Sequence, residues 1–209
     1  MNYLYLIVLG IICYFIGNIS GSIVLSKLIY KQDIRNYGSK NAGATNALRV
    51  YGVKFGLATF LIDFLKGLLC AYLGFKFFGS LGILVCGLLC VVGHILPVIY
   101  NFKGGKGIAT SFGVLLFAQP LQVLFLLILF LIVVLITKYV SLGSIIGCVS
   151  AVIYGLIYIR KDFYIGLIYI LLGIISLFKH RSNINRLIHG KESKLGKVLG
   201  LKKEKCTAP

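Results

Sequence analysis

Acidic residues are scarce in this chain, with five Asp and Glu against 22 Lys and Arg among 209 residues. Metal sites draw on clustered His, Cys and carboxylate ligands, but the three histidines are scattered and no carboxylates cluster near them. Hydrolytic triads need an acid to orient a histidine, and the chain also has no Gly-x-Ser-x-Gly sequence. The sequence therefore argues against metal-dependent chemistry and against a serine hydrolase, and we expect no cofactor.

Charged residues of both signs make up only 13% of the chain, whereas apolar residues make up 59%. The mean hydropathy is +0.97, and this leaves too little polar sequence for a separate soluble domain. Apolar runs of roughly 18 or more residues recur, and each is long enough to cross a bilayer. Five of the six cysteines lie in these runs, without a Cys-x-x-Cys pair, so we interpret them as small buried hydrophobic residues.

The apolar runs predict an all-α polytopic membrane protein with about seven transmembrane helices in a single domain, residues 1–178. The expected spans are 3–28, 53–75, 81–100, two crossings within 108–136, 145–159 and 163–178. Gln119-Pro120 is the expected break between the two crossings. Asp63 and Lys66 share a face of the second helix, and we expect them to form an ion pair inside the protein. The alternative role is to position the nearby loop or to bind an anion.

The basic residues predict the orientation. With the N-terminus outside, 18 of the 22 Lys and Arg lie in or beside loops 30–50, 101–107 and 137–144 and the tail 179–209, and three lie in outer turns. Cytoplasmic segments of membrane proteins carry such an excess. The three loops and the start of the tail would then form one anion-binding mouth at the cytoplasmic face. We expect no nucleic acid partner, because no basic patch lies on a soluble module.

Two glycine-rich loops carry hydrogen-bonding or basic groups suited to an anion. Residues 38–49 read Gly-Ser-Lys-Asn-Ala-Gly-Ala-Thr-Asn-Ala-Leu-Arg, and residues 103–107 read Lys-Gly-Gly-Lys-Gly. Glycine lets the backbone approach a phosphate closely, and N–H groups and lysine then bind it. The second loop is not a Walker A motif, because Tyr100 and Gly107 stand where that motif needs Gly and Ser or Thr. The alternative interpretation is a pair of polar loops that only set the membrane topology.

Four segments together resemble the signatures of the bacterial acyl-phosphate:glycerol-3-phosphate acyltransferases. They are 38–49, 93–97 leading into 102–110, 139–145 (Tyr-Val-Ser-Leu-Gly-Ser-Ile) and 180–184 (His-Arg-Ser-Asn-Ile). The segments occur in the family's order over nearly the whole chain. Ala42 departs from the larger aliphatic residue that is usual there, and the lysine-rich extension after about Leu195 lies outside the signatures.

The resemblance implies an enzyme of phospholipid synthesis in the bacterial cytoplasmic membrane, with its active site facing the cytoplasm. It would transfer a fatty acyl group from acyl phosphate to the 1-hydroxyl of sn-glycerol 3-phosphate, giving lysophosphatidate and phosphate. A soluble partner enzyme would supply the acyl phosphate. Because acyl phosphate has a good leaving group, no covalent nucleophile is needed, and a phosphate oxygen of the donor is our candidate base.

The expected catalytic residues are Ser39, Arg49, Lys106, His180 and Asn183. The expected substrate- and phosphate-binding residues are Lys40, Asn41, Gly43, Ala44, Thr45, Asn46, Lys103, Gly104, Gly105, Gly107, Ser141 and Ser144. The rival function is a membrane transporter of a phosphorylated anion, which basic loops and an intramembrane ion pair would also serve. Transporter sites tend to lie at the midplane between repeats, whereas here the polar groups gather at one face and no repeat is evident.

Overall fold

The computed structural model describes residues 3–195, and this part of the chain is helical without any strand. The helices are α1 (Tyr3–Asn18), α2 (Gly21–Tyr30), α3 (Ala44–Tyr51), α4 (Val53–Gly82), α5 (Leu88–Ile95), α6 (Ile108–Ala118), α7 (Pro120–Thr137), α8 (Val140–Tyr158), α9 (Phe163–Lys179) and α10 (Arg181–Ile188). Short 3-10 turns cover Ile34–Asn36 and Val98–Tyr100, and a π-helical turn, Ile83–Gly87, precedes α5. The extension beyond Leu195 lies outside the described residues.

Three helical stretches are long and apolar enough to cross a membrane: Val53–Tyr100, Pro120–Thr137 and Val140–Tyr158. Two more qualify if α1 with α2, bent by 43°, and α9 with α10, bent by 56°, each count as one span. The helix assigned as α4 is interrupted at Gly79 (φ 57°, ψ −144°), where the chain folds back and brings Gly74 against Gly82. The prediction of an all-helical membrane protein is confirmed, while the count of seven and the orientation stay predictions.

The sequence predicted loops in two places where the structure has helix. Within the predicted loop 30–50, Ala44–Tyr51 form α3, and α8 begins at Val140, so that most of 137–144 is helical. The third predicted span, 81–100, ends as a helix at Ile95, because Pro97 lacks the N–H that a continuing helix requires. The break at Gln119-Pro120 is confirmed, with Pro120 as the first residue of α7.

Helices α4 and α6 pack with their backbones almost in contact. A Cβ atom added at Gly67 would lie 2.2 Å from the carbonyl oxygen of Thr110, and one added at Gly113 would lie 2.1 Å from that of Phe64. Small residues permit this approach between membrane helices. The contact fixes the start of α6, and with it the end of the loop 101–107, against α4.

The main apolar cluster lies among α5, α6, α8 and α9, and it includes the buried side chains of Val91, Val114 and Ile168. Large apolar side chains of α7, such as Leu121 and Ile136, are exposed on the outside of the bundle, as expected for a helix in lipid. The five cysteines of the described chain are buried and unpaired. Our interpretation of these cysteines as small buried residues is confirmed.

Candidate active site

A cavity of about 710 Å³ lies between α3, the start of α6, the start of α8 and the junction of α9 with α10. Fourteen of the seventeen predicted site residues line it: Ser39, Lys40, Asn41, Gly43, Ala44, Thr45, Asn46, Arg49, Lys106, Gly107, Ser141, Ser144, His180 and Asn183. The structure therefore brings residues of all four sequence segments together around one space.

The first loop is shaped by Asn46, whose side chain is buried and fully occupied by backbone groups. Its Oδ1 accepts a hydrogen bond of 2.7 Å from the Ser39 N–H, and its Nδ2 donates to the carbonyls of Tyr37 (3.1 Å) and Ile34 (3.4 Å). The loop ends at the N-terminus of α3, where the partial positive charge of a helix favours an anion. Asn46 therefore holds the loop in shape, while Ser39 and the first turn of α3 border the cavity.

A chain of polar contacts joins the second loop to α10. The Lys106 ammonium donates to Asn183 Oδ1, and Asn183 Nδ2 donates to Glu192 Oε1 at 2.8 Å. Glu192 Oε2 accepts from Arg186 Nε at 2.6 Å. Burial alone would raise the pKa of Glu192, but the hydrogen bonds from Arg186 and Asn183 outweigh it and lower that pKa. Glu192 is therefore an anion that orients Asn183 and, through it, Lys106.

His180 lies at the junction of α9 and α10, and its ring orientation is fixed by the backbone. Its Nδ1 lies 2.8 Å from the carbonyl oxygen of Ser176. A carbonyl only accepts hydrogen bonds, so Nδ1 carries the proton, and Nε2 of the neutral ring carries a lone pair. The side chain is buried and lines the cavity, where Nε2 is suited to accept a hydrogen bond from a substrate hydroxyl.

A buried charge cluster lies beneath the cavity. The Lys66 ammonium is 3.0 Å from Asp63 Oδ1 and 2.9 Å from His94 Nδ1, so the predicted Asp63–Lys66 ion pair is confirmed. Lys66 also donates to the carbonyls of Gly17 (2.9 Å) and Ile19 at the break between α1 and α2. These carbonyls lie where the helix hydrogen bonds end, and the ammonium satisfies them. The cluster thus stabilises a broken membrane helix next to the site.

Lys103, Gly104 and Gly105 do not line the cavity, which differs from the binding role that we predicted for them. The Lys103 side chain is exposed. The Gly105 N–H donates to the carbonyl of His94 at 3.1 Å, and a Cβ atom at Gly105 would lie 2.2 Å from His94 Nε2. The two glycines therefore allow the loop to pack closely on α5, which places Lys106 and Gly107 at the cavity.

A second, apolar cavity of about 170 Å³ adjoins the first and lies among α6, α7, α8 and α9. The two cavities share four lining residues, Phe60, Ile108, Phe130 and Ser144. The other residues that line the second cavity are mostly Leu, Phe, Ala and Gly. The polar site therefore borders an apolar space between membrane helices.

Positive charge dominates the polar cavity. Its basic lining residues, other than histidine, are Lys40, Arg49, Lys106, Lys179, Arg181 and Arg186. The acidic lining residues, Asp63 and Glu192, already have partners in Lys66 and Arg186. Such an excess in a partly closed cavity attracts anions.

Comparison with known proteins identifies the family. The family model described as glycerol-3-phosphate acyltransferase matches residues 7–190. The glycerol-3-phosphate acyltransferase of Finegoldia magna is 92% identical over 197 residues, which are 94% of this chain and 100% of that protein. That of Thermoanaerobacter pseudethanolicus is 44% identical over 95% of this chain and 100% of its own length. The chain belongs to the glycerol-3-phosphate acyltransferase family.

Solved structures of the family support the fold. An integral membrane glycerol 3-phosphate acyltransferase, PlsY, crystallised in its glycerol 3-phosphate form, has a TM-score of 0.85 and 38% identity, over 91% of this chain and 95% of that one. Its lysophosphatidic acid form has a TM-score of 0.83 and 36% identity, over 93% of this chain and 98% of that one. The acyltransferase described here is therefore an integral membrane protein of the same fold.

Sequence reasoning missed several residues of this acyltransferase that line or support the cavity. Lys179, Arg186 and Glu192 lie in the predicted tail 179–209, whose start we expected to complete the site, but we assigned none of these three residues to it. His94 and Asp63, neither of which we assigned to the site, also lie in the lining. The signal that could have found Glu192 is its rarity, since it is one of only five acidic residues in the chain.

Proposed function

We propose that this acyltransferase takes its fatty acyl group from acyl phosphate and transfers it to the 1-hydroxyl of sn-glycerol 3-phosphate. The products would be lysophosphatidate and inorganic phosphate. The observation that carries the proposal is the basic cavity joined to an apolar one. Two phosphate groups would occupy the basic cavity, and the acyl chain would extend past Phe60 and Phe130 into the apolar space.

The proposed roles follow the geometry. Ser39, Asn41, Thr45 and the N-terminus of α3 would bind one phosphate, with charge neutralisation by Arg49 and Lys106. His180 and Asn183 would bind the second substrate, together with Ser141 and Ser144 in the first turns of α8. No covalent intermediate is needed, because phosphate is a good leaving group and binding both substrates side by side supplies proximity. A donor phosphate oxygen would accept the hydroxyl proton, and we propose that no cofactor takes part.

The proposed topology has seven membrane crossings, with the N-terminus outside and the cavity facing the cytoplasm. Support comes from the distribution of Lys and Arg and from the reversal of the chain at Gly79, which divides the stretch Val53–Tyr100 into two crossings. The short helix α6 and the long helix α7 would supply two more. The soluble enzyme that makes acyl phosphate would then meet this protein on the cytoplasmic side.

A comparison of acyl donors tests the proposed reaction. Purified protein in mild detergent receives labelled glycerol 3-phosphate with palmitoyl phosphate, palmitoyl-CoA or palmitoyl carrier protein, and labelled lysophosphatidate is measured. We expect product with palmitoyl phosphate alone. Product from the thioesters alone would contradict the proposed donor, and binding of glycerol 3-phosphate without product from any donor would favour the transport function.

The pH dependence of the reaction should report on Lys106. Burial, with help from Arg186, Arg49 and Lys179, lowers the pKa of Lys106 to about 8, against an opposing effect of Glu192. The ammonium is charged below this pKa and neutral above it, so we expect kcat/KM for glycerol 3-phosphate to fall as the pH rises through about 8. In Lys106→Arg the guanidinium stays charged, and any remaining activity should lack this fall. An identical alkaline decline in both proteins would assign it to another group.

A further inference from the structure

Arg35 lies outside the cavity lining and joins the two glycine-rich loops. Its Nε lies 2.9 Å from Asp33 Oδ1, and its Nη2 lies 2.7 Å from Asp33 Oδ2, so the carboxylate holds the guanidinium in a bidentate ion pair. The remaining nitrogen, Nη1, donates to the carbonyls of Tyr100 (3.0 Å) and Lys103 (3.2 Å). A side chain that precedes the first loop thus binds the carbonyl of Lys103 in the second loop and that of Tyr100, just before it.

The segment between those two carbonyls has an unfavourable backbone conformation. Asn101 (φ 54°) and Phe102 (φ 58°) are consecutive residues in the left-handed region. Residues other than glycine rarely adopt this backbone conformation. Such conformations persist where the surrounding structure holds them, and they concentrate at functional sites. Arg35 binds the carbonyls immediately before and after these two residues, and it therefore holds the segment in this shape.

The turn that carries Arg35 is also fastened to the first loop and to α3. Asp33 Oδ1 accepts a hydrogen bond from the Arg35 N–H and caps the turn Ile34–Asn36. Asn46 of α3 donates to the carbonyls of Ile34, the first residue of that turn, and of Tyr37, which follows it. The turn therefore links the loop 38–43 on one side of the cavity to the loop 103–107 on the other.

We propose that Asp33 and Arg35 are positioning residues that set the distance between the loop 38–43 and the loop 103–107. The inference rests on the proposed function, in which the first loop binds a phosphate and Lys106 neutralises charge. Asp33 orients Arg35, and Arg35 orients the backbone that leads to Lys106. Neither residue lines the cavity.

The effect of Arg35→Ala distinguishes positioning from charge. The substitution leaves every basic residue of the cavity in place, so we expect KM for glycerol 3-phosphate to stay within about threefold. A displaced loop misaligns Lys106, so kcat should fall by about tenfold or more. Arg35→Lys should recover little, because one ammonium cannot bind the carboxylate in a bidentate manner and reach two carbonyls as well. Lys54→Ala, which removes an exposed cation at the start of α4, should behave as wild type.

A double-mutant cycle tests whether the two residues act as one unit. Asp33→Asn keeps an oxygen to cap the turn but loses the charge that orients Arg35, so kcat should fall here too. Asp33→Asn combined with Arg35→Ala should be no worse than Arg35→Ala alone, because the shared contact is already lost.

Either of two results would overturn the inference. One is a normal kcat in Arg35→Ala, and the other is a lowered thermal unfolding midpoint with normal turnover in the fraction that remains folded, which would mean a purely structural role. Failure of the proposed site itself is distinguishable, because Lys106→Ala would then retain its activity.

Discussion

Arg49→Ala and Lys106→Ala should each lower kcat/KM by about 10²- to 10³-fold, the usual loss when a preorganised group that stabilises transition-state charge is removed. Both side chains line the basic cavity, and Lys106 also binds Asn183. On the proposed function, each neutralises phosphate charge that moves during acyl transfer. The lysophosphatidate assay with palmitoyl phosphate measures the loss, at substrate concentrations that separate kcat from KM.

The control for these two variants is again Lys54→Ala, which removes one exposed positive charge that does not line the cavity. All three variants should enter the membrane and purify in comparable yield, because Arg49 and Lys106 lie outside the apolar clusters that pack the helices together. Near-normal turnover in both Arg49→Ala and Lys106→Ala would contradict the proposed site.

Lys66→Met should lower the free energy of unfolding by about 3–5 kcal/mol, because it leaves the buried carboxylate of Asp63 without its ammonium partner. The variant also leaves the carbonyls of Gly17 and Ile19 unsatisfied at the break between α1 and α2. The unfolding midpoint in detergent, read by heat or by denaturant, measures the loss.

A second substitution distinguishes the contribution of the ion pair to stability from that of the hydrogen bonds to the two carbonyls. Asp63→Asn combined with Lys66→Met removes the unpaired charge but not the unsatisfied carbonyls, so it should regain part of the lost stability. A double variant that is less stable than Lys66→Met alone would contradict this account of the cluster.

The gathering of the site around one cavity was predictable, because the distribution of Lys and Arg predicted that the basic loops share one face. The secondary structure of the predicted loops was not predictable in the same way. Ser141 and Ser144 lie in a stretch of small and polar residues that is typical of a loop, yet they occupy the first turns of α8. Both are buried where α8 packs in the bundle, and packing of this kind overrides weak local preferences.

The direction in which individual side chains point could not be predicted from the sequence either. Lys103 and Lys106 have similar neighbours, but one side chain is exposed and the other reaches Asn183, 77 residues later in the chain. The spacing of Asp63 and Lys66 predicted their ion pair, since residues three apart share a helix face. No local feature of the sequence predicted that Lys66 would also satisfy the carbonyls of Gly17 and Ile19, because that contact requires the break between α1 and α2.

The shared wall of the polar and apolar cavities has a consequence for how the reaction is driven. On the proposed function, one product is an amphiphile that can diffuse sideways into the leaflet, while the other is an ion that leaves for water. The products separate by solubility as they form, which disfavours the reverse reaction without a pump or a carrier. Turnover then depends on the surface concentrations of the acyl donor and the lipid product, that is, on their mole fractions in the leaflet. Turnover should therefore respond to dilution of the donor in surface lipid at constant bulk concentration.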